Sequence, residues 1–235
     1  MRKCFGFLLA LCLSTTAVSA QTLTEEQVKQ LALEAILENP SIIMEAVAIL
    51  EQRQRDEQAL AAQAVMGQLS DTTNASVLGN PDGDITIVEF FDYNCGFCRR
   101  AGPVVEQIIA DNPDVRVIMR EWPILGEASV VASRASLAAR NQDKYEEFHW
   151  AMMKGQGRAS EATILKAARD LGMDVDQLQA DMNSDAVNNH IQTSVNMAQA
   201  MGFTGTPAFV VGDQSAPGFI SLEEMQGLVE AAREG

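Results

Sequence analysis

Residues 85–98 read Ile85-Thr86-Ile87-Val88-Glu89-Phe90-Phe91-Asp92-Tyr93-Asn94-Cys95-Gly96-Phe97-Cys98, and this stretch decides the fold. Apart from Glu89, residues 85–91 are β-branched or aromatic, the composition of a short buried strand. A helix is predicted from about Gly96 to Ala110, which places Cys95 at a strand-to-helix junction. Unpaired backbone N–H groups and the positive end of the helix dipole stabilise an anion at such a position. For a thiol in a Cys-x-x-Cys pair this means a pKa of roughly 3.5 to 7 in place of about 8.5. Cys95 is therefore the expected nucleophile, and Cys98, one turn further on, the shielded thiol that attacks a mixed disulfide. Arg99 and Arg100 either add to thiolate stabilisation or lie on a solvated helix face.

Downstream, Val115 to Arg120 (VRVIMR) reads as a second strand, and Glu127 to Ala200 is Ala-rich and helical with breaks at Gly155-Gln156-Gly157 and Gly172. Ala208 to Val211 (AFVV) is a third strand and Gly218-Phe219-Ile220 a candidate fourth, while Ser221 and Glu224 form a capping box for a last helix. The order of strand, helix, strand, helical block, two strands and helix gives an α/β domain over 85–235 with a helical insert at about 127–200. Its first strand-helix-strand unit is expected to be parallel and right-handed.

Upstream, residues 21–70 read as a helical arm. Thr24 and Gln27 make a capping box, Val28, Leu31, Ala32, Ala35 and Ile36 form an apolar stripe, and Asn39-Pro40 breaks the helix. Ser41 is expected to cap a second helix whose Ile42, Ile43, Ala46, Val47, Ile49 and Leu50 make a face too wide for a lone solvated helix. Glu51 to Gln58 is wholly polar, and Leu60, Ala64 and Val65 continue a weaker stripe. Such an arm either folds back on the main domain or associates with other copies. Residues 71–84, rich in Thr, Asn, Ser, Gly and Pro, read as a linker.

The first twenty residues have the pattern of a cleaved secretory signal: Arg2 and Lys3, an apolar run from Cys4 to Leu13, then Val18-Ser19-Ala20. The run is too short to span a bilayer, which needs roughly 18 or more apolar residues. Loss of this segment leaves Cys95 and Cys98 as the remaining cysteines. A bridge between them closes too small a loop to staple a fold, so the pair is present for its reactivity. A zinc site would need two more ligands, and the candidates His149 and His190 lie in partly apolar helical surroundings. Copper binding at the pair stays open, because soft thiolates favour Cu(I). With 32 acidic against 17 basic residues and a net charge of −15, a nucleic-acid partner is excluded on electrostatic grounds.

The stretches EFFDYNCGFC at 89–98 and GFTGTPAFVVG at 202–212 together resemble thioredoxin-fold proteins of the DsbA-like branch, over roughly residues 79–235. That resemblance implies a cis Pro207 whose loop, with Thr206, packs beside the cysteines and offers its backbone to an extended substrate strand. It implies that Glu89 relays the proton as Cys98 becomes a nucleophile, against the alternative of a solvated carboxylate at a strand edge. Pro103 corresponds to a structural helix proline. The Gly96-Phe97 dipeptide and Thr206 are similar to those of periplasmic disulfide isomerases, whereas the strongest oxidases carry Pro-His and Val. The segment ENPSIIMEAVAILEQRQ resembles the N-terminal region of suppressor-of-copper-sensitivity C proteins, which trimerise through it. The expectation is a periplasmic, homotrimeric disulfide isomerase acting on misoxidised or reduced secreted proteins and kept reduced by a membrane thiol reductase. It carries no cofactor beyond its own redox-active Cys95–Cys98 pair. The alternatives are a monomeric dithiol oxidase and a redox-linked copper-binding or chaperone protein.

Overall fold

The computed structural model describes residues 23–234. The expected signal segment, including Cys4 and Cys12, lies outside them. The chain divides into two compact units between Arg53 and Gln54.

In the first unit, helix α1 (Glu25–Glu38) starts on the expected box: Thr24 Oγ1 accepts from the Gln27 N–H, and the Thr24 N–H donates to Gln27 Oε1 at 3.0 Å. Helix α2 (Ser41–Leu69) follows. Ser41 is its first helical residue and not its cap; the Ser41 hydroxyl donates back to Asn39 Oδ1 at 2.7 Å. Leu31, Leu37, Ile43, Met44 and Leu50 are all more than half exposed.

The second unit takes up the rest of α2, so the domain begins well before the expected residue 85. Gln58 donates to the carbonyls of Gln199 and Ala200. Leu69 is buried against Phe90, Trp122, Met197, Ala198 and Phe203, with Val65 and Met66 packed on the same cluster. Residues 71–84 are not a linker. Ser76–Gly79 forms strand β1, antiparallel to β3 (Val115–Glu121). The polar residues ahead of β1 are anchored by the domain: Arg120 donates to the Asp71 carbonyl at 2.9 Å, Arg140 to Asn74 Oδ1 at 3.1 Å, and Asn74 Nδ2 to the Ala186 carbonyl at 3.1 Å. Gly79 ends the strand at φ +76°, where a Cβ would stand 2.8 Å from the Val115 carbonyl oxygen.

Strand β2 (Ile85–Phe91) pairs in parallel with β3 and antiparallel with β4 (Ala208–Val211), which in turn pairs with β5 (Gln214–Pro217). The sheet is five-stranded, in the order β1-β3-β2-β4-β5. The last strand therefore occupies 214–217 in place of the expected 218–220. Gly218, at φ +91°, turns the chain out of β5. Between β2 and β3 runs α3 (Gly96–Asp111), with Pro103 inside it. The helical insert is built from α4 (Glu127–Ala138), a 3₁₀ turn (Ala139–Gln142), α5 (Tyr145–Lys154), α6 (Glu161–Asp170), α7 (Val175–Asp181) and α8 (Asp185–Ala200). It breaks at Gly155–Gly157 and Gly172 as expected. Helix α9 (Leu222–Glu234) starts on the Ser221–Glu224 box, the Glu224 N–H donating to Ser221 Oγ at 3.2 Å.

Because β2 is central, its side chains are buried on both faces: Ile87 and Phe91 join α3, α5 and α9 in one core, while Val88 and Phe90 join α2 and α8 in another. A residue in a linker would tolerate truncation, but Leu78 is only 1% exposed and belongs to the larger core. Leu78→Ala is expected to lower unfolding stability by about 2–5 kcal/mol in a denaturant titration.

Candidate active site

Cys95 is the N-cap residue of α3, extended at φ −80° and ψ 117°, and the Cys98 N–H donates to its sulfur at 3.4 Å. The cap position that the sequence assigns to the cysteine is thus occupied by sulfur where Ser or Asp would ordinarily sit. Both cysteines are unbridged thiols. Across from them the Thr206–Pro207 peptide bond is cis, and the Thr206 carbonyl accepts from the Cys95 thiol at 3.2 Å. The Pro207 carbonyl accepts from the Gly218 N–H at 2.8 Å, tying the loop before β4 to the end of β5. Gly96 and Phe97 stand exposed between the two sulfurs, with Phe97 55% accessible.

The two thiols have opposite chemistry. Cys95 is held down to about 5, chiefly by a hydrogen bond from the Cys98 thiol, with the Thr206 side chain and the backbone N–H groups of Cys98 and Phe97 adding to it. At neutral pH it is a thiolate. Cys98 is wholly buried, and burial pushes its thiol far up, reinforced by Cys95 and Glu89. Neither Arg99 nor Arg100 is among the groups that stabilise Cys95. Arg99 is spent elsewhere, its Nε donating to the Tyr93 carbonyl at 3.0 Å and its Nη1 to the Gly155 carbonyl.

Glu89 is no strand-edge carboxylate. On central β2 it faces Met119 of β3 and Phe209 of β4 in register, is 2% exposed, and its Oε1 has no hydrogen-bond partner. Burial pushes its carboxyl up to about 8, with the negative charge of Cys95 acting in the same direction. The carboxyl and the two sulfurs are thus electrostatically coupled.

Two residues that the sequence reading passed over hold the junction in place. Asp92, fully buried, accepts from the Asn94 N–H through Oδ1 at 2.7 Å and from the N–H groups of Ile124 and Leu125 through Oδ2 at 2.9 Å each. Asn94 reaches the insert, accepting from the Ala159 N–H at 2.7 Å and donating to Ser129 Oγ at 3.0 Å. Apart from the Asp92–Asn94 contact itself, their partners lie 32 to 65 residues away, so only the Asp-x-Asn spacing ahead of Cys95 marks them in the sequence. The histidines hold internal partners: His149 Nδ1 lies 3.0 Å from the Tyr93 hydroxyl, and His190 Nε2 lies 2.5 Å from Glu121 Oε2.

A family model described as a DSBA-like thioredoxin domain matches residues 86–230, which takes in the cysteines, the insert and the cis-proline loop. The chain belongs to that family. As a DsbA-like protein it carries a thioredoxin-like sheet interrupted by helices, the architecture of thiol-disulfide oxidoreductases. A thioredoxin-like oxidoreductase from Silicibacter pomeroyi DSS-3 is similar to it at 51% identity and a TM-score of 0.71, over 72% of this chain and 98% of that one. A linker-deletion variant of Proteus mirabilis ScsC is similar at 27% identity and a TM-score of 0.68, over 92% of this chain and 99% of the other. Among curated relatives, the Na(+)/H(+) antiporter NhaA 1 of Salinispora arenicola (strain CNS-205) is 25% identical over 241 residues, 98% of this chain and 36% of the antiporter. The chain thus spans about a third of the length of that relative. No helix among the described residues is long and apolar enough to cross a membrane.

Two measurements follow from these electrostatics. Thiolate absorbance near 240 nm is expected to titrate with a midpoint near 5 in the reduced protein. In Cys98→Ala, which loses the leading hydrogen bond, the midpoint is expected to rise by about one unit or more. For Glu89 the folded carboxyl binds its proton more tightly than the unfolded one, so its burial costs stability progressively as pH rises from about 4.5 to about 8. Relative to reduced wild type, reduced Glu89→Gln is expected to gain on the order of 5 kcal/mol across that window, read from denaturation midpoints at pH 4.5 and 8.5.

Proposed function

We propose that this protein is a periplasmic protein disulfide isomerase in which Cys95 attacks and Cys98 resolves. The observation that carries the reading is the asymmetry of the pair. One sulfur is a thiolate at a helix cap, and the other is a buried neutral thiol coupled to an uptuned carboxyl.

The Cys95 thiolate attacks one sulfur of a substrate disulfide; that S–S bond breaks, a Cys95–substrate disulfide forms, and the departing substrate thiolate takes up a proton. Formation of the mixed disulfide removes the negative charge on Cys95, one of the two influences that keep Glu89 protonated. Glu89 thereby ionises more readily, and its carboxylate is the form that can accept the Cys98 proton. Resolution then goes one of two ways. A different substrate thiolate attacks the mixed disulfide, returning Cys95 as thiolate with no net electron transfer, which is isomerisation. Otherwise Cys98 attacks Cys95, releasing the substrate thiol and leaving a Cys95–Cys98 disulfide with two electrons passed to the substrate, and a membrane thiol reductase restores the pair.

Thr206 and cis-Pro207, with Gly96 and Phe97, form the surface on which an extended substrate segment lies. Support for isomerisation over oxidation comes from the Gly96-Phe97 dipeptide, Thr206, and the exposed apolar residues of α1 and early α2, which suit self-association into a trimer that gathers several sites. The similarity to Proteus mirabilis ScsC extends over 92% of this chain, which takes in part of that arm. The depressed Cys95 pKa favours a second reading, because a stabilised thiolate makes the corresponding disulfide more oxidising. An oxidase of that kind would act as a monomer. The soft thiolate pair also suits Cu(I), as a secondary property of the same residues.

Recovery of scrambled, fully oxidised ribonuclease in a glutathione buffer tests the assignment. Efficient rescue is expected from residues 21–235 and little from a chain beginning at Gln54. Equal oxidation of a reduced peptide by both, without rescue by either, establishes the oxidase. Cys95→Ser is expected to abolish exchange by at least 1,000-fold on the order typical of a lost nucleophile. Cys98→Ser is expected to accumulate mixed disulfides on non-reducing gels.

A further inference from the structure

Arg100 lies in the first turns of α3, two residues beyond Cys98, and its role differs from that of its neighbour. Its guanidinium carbon sits over the Phe97 ring at 4.4 Å from the centroid and over the Phe219 ring at 5.2 Å. Phe97 belongs to the dipeptide between the cysteines. Phe219 follows Gly218, whose N–H donates to the Pro207 carbonyl. The cation thus joins the two sides of the cleft, the cysteine loop and the segment tied to the cis-proline.

Both rings are exposed, Phe97 at 55% and Phe219 at 40%, and Arg100 is exposed with them. No carboxylate among the described residues pairs with Arg100, although the whole chain carries 32 acidic residues against 17 basic. Cation–π contact engages the face of a guanidinium and leaves its N–H edge free. That edge is a planar fork matched to a carboxylate, and a guanidinium already placed by two rings loses little side-chain freedom on receiving one.

We propose that Arg100 is a specificity-determining residue that selects substrate segments carrying Asp or Glu next to the reacting cysteine. The inference rests on the reading above, that Cys95 exchanges disulfides with polypeptide substrates, and adds which polypeptides are favoured. The carboxylate accepts from the Arg100 edge while the substrate backbone lies along Thr206 and Pro207, and the neighbouring rings exclude water from one side of the pair. The rest of the acidic surface repels such a segment, which confines its favourable docking to this spot.

The test uses the full chain, reduced, and peptides with one disulfide each, identical except for Glu, Gln or Lys flanking the reacting cysteine. The readout is the ratio of kcat/KM for the Glu peptide to that for the Lys peptide within each protein, so losses from folding or from general reactivity cancel. Wild type is expected to favour Glu by about fivefold, the scale of one exposed charge pair. Arg100→Gln is expected to bring the ratio to one or below, and Arg100→Glu to lower it further. A wild-type ratio of one or below, or a ratio unchanged in Arg100→Gln, overturns the proposal while leaving disulfide exchange intact. Absence of exchange with every peptide overturns the underlying function and the proposal with it. Should the Arg100 variants fail to fold, Phe219→Ala, which frees the cation from the cis-proline side, decides by the same criterion.

Discussion

The structure depends on keeping a charged sulfur at the mouth of α3 while everything behind it stays dry. The cap N–H groups and the Cys98 thiol supply hydrogen bonds to Cys95 that water would otherwise provide, so its anion survives at a position only 7% exposed. The same geometry sends Cys98 and Glu89 into the interior, where low dielectric disfavours charge on either. One strand-to-helix junction therefore produces a poised nucleophile and a delayed one, and the difference between them is set by depth along a single helical turn.

Holding that junction requires anchoring from distant parts of the chain. Asp92 spends both carboxylate oxygens on backbone N–H groups, two of them from the segment between β3 and α4. Asn94 extends the anchoring to α4 and to the loop before α6. Arg99 adds the Gly155 end of α5. The helical insert is in this way fastened to the residues immediately around the cysteines, and the cis-proline loop closes the opposite side through the Thr206 carbonyl. A shift of the insert would be felt at Cys95 through hydrogen bonds to its near neighbours, a coupling with a defined physical route.

Charge is distributed unevenly about this site. The chain is strongly acidic overall, yet its cleft is flanked by two arginines of different character. Arg99 is consumed by carbonyls and acts as scaffold, whereas Arg100 rests on exposed aromatic faces with its donors open. In the first unit, leucines and isoleucines of α1 and early α2 stand exposed.

Local pattern was enough for much of this. The β-branched run at 85–91, the Cys-x-x-Cys at its end, the cap boxes at Thr24 and Ser221 and the glycine breaks in the insert are short-range signals, because each reflects the conformational preference or hydrogen bonding of a few adjacent residues. The nucleophile's cap position was legible for the same reason. What sequence misjudged was context. Residues 76–79 look like linker because Thr, Asn, Ser and Gly surround them, but the β3 edge recruits them into the sheet, and Arg120 and Arg140 hold Asp71 and Asn74 just ahead of them. The burial of Glu89 follows from β2 being central, which is a property of strand order and not of strand composition. The partners of Asp92 and Asn94 and the meeting of Arg100 with Phe219 arise from segments far apart in the chain. Sequence by itself determined the chemistry of the cysteine pair; only the tertiary structure decided what surrounds it, since burial and electrostatic coupling act through space between residues that periodicity along the chain cannot relate.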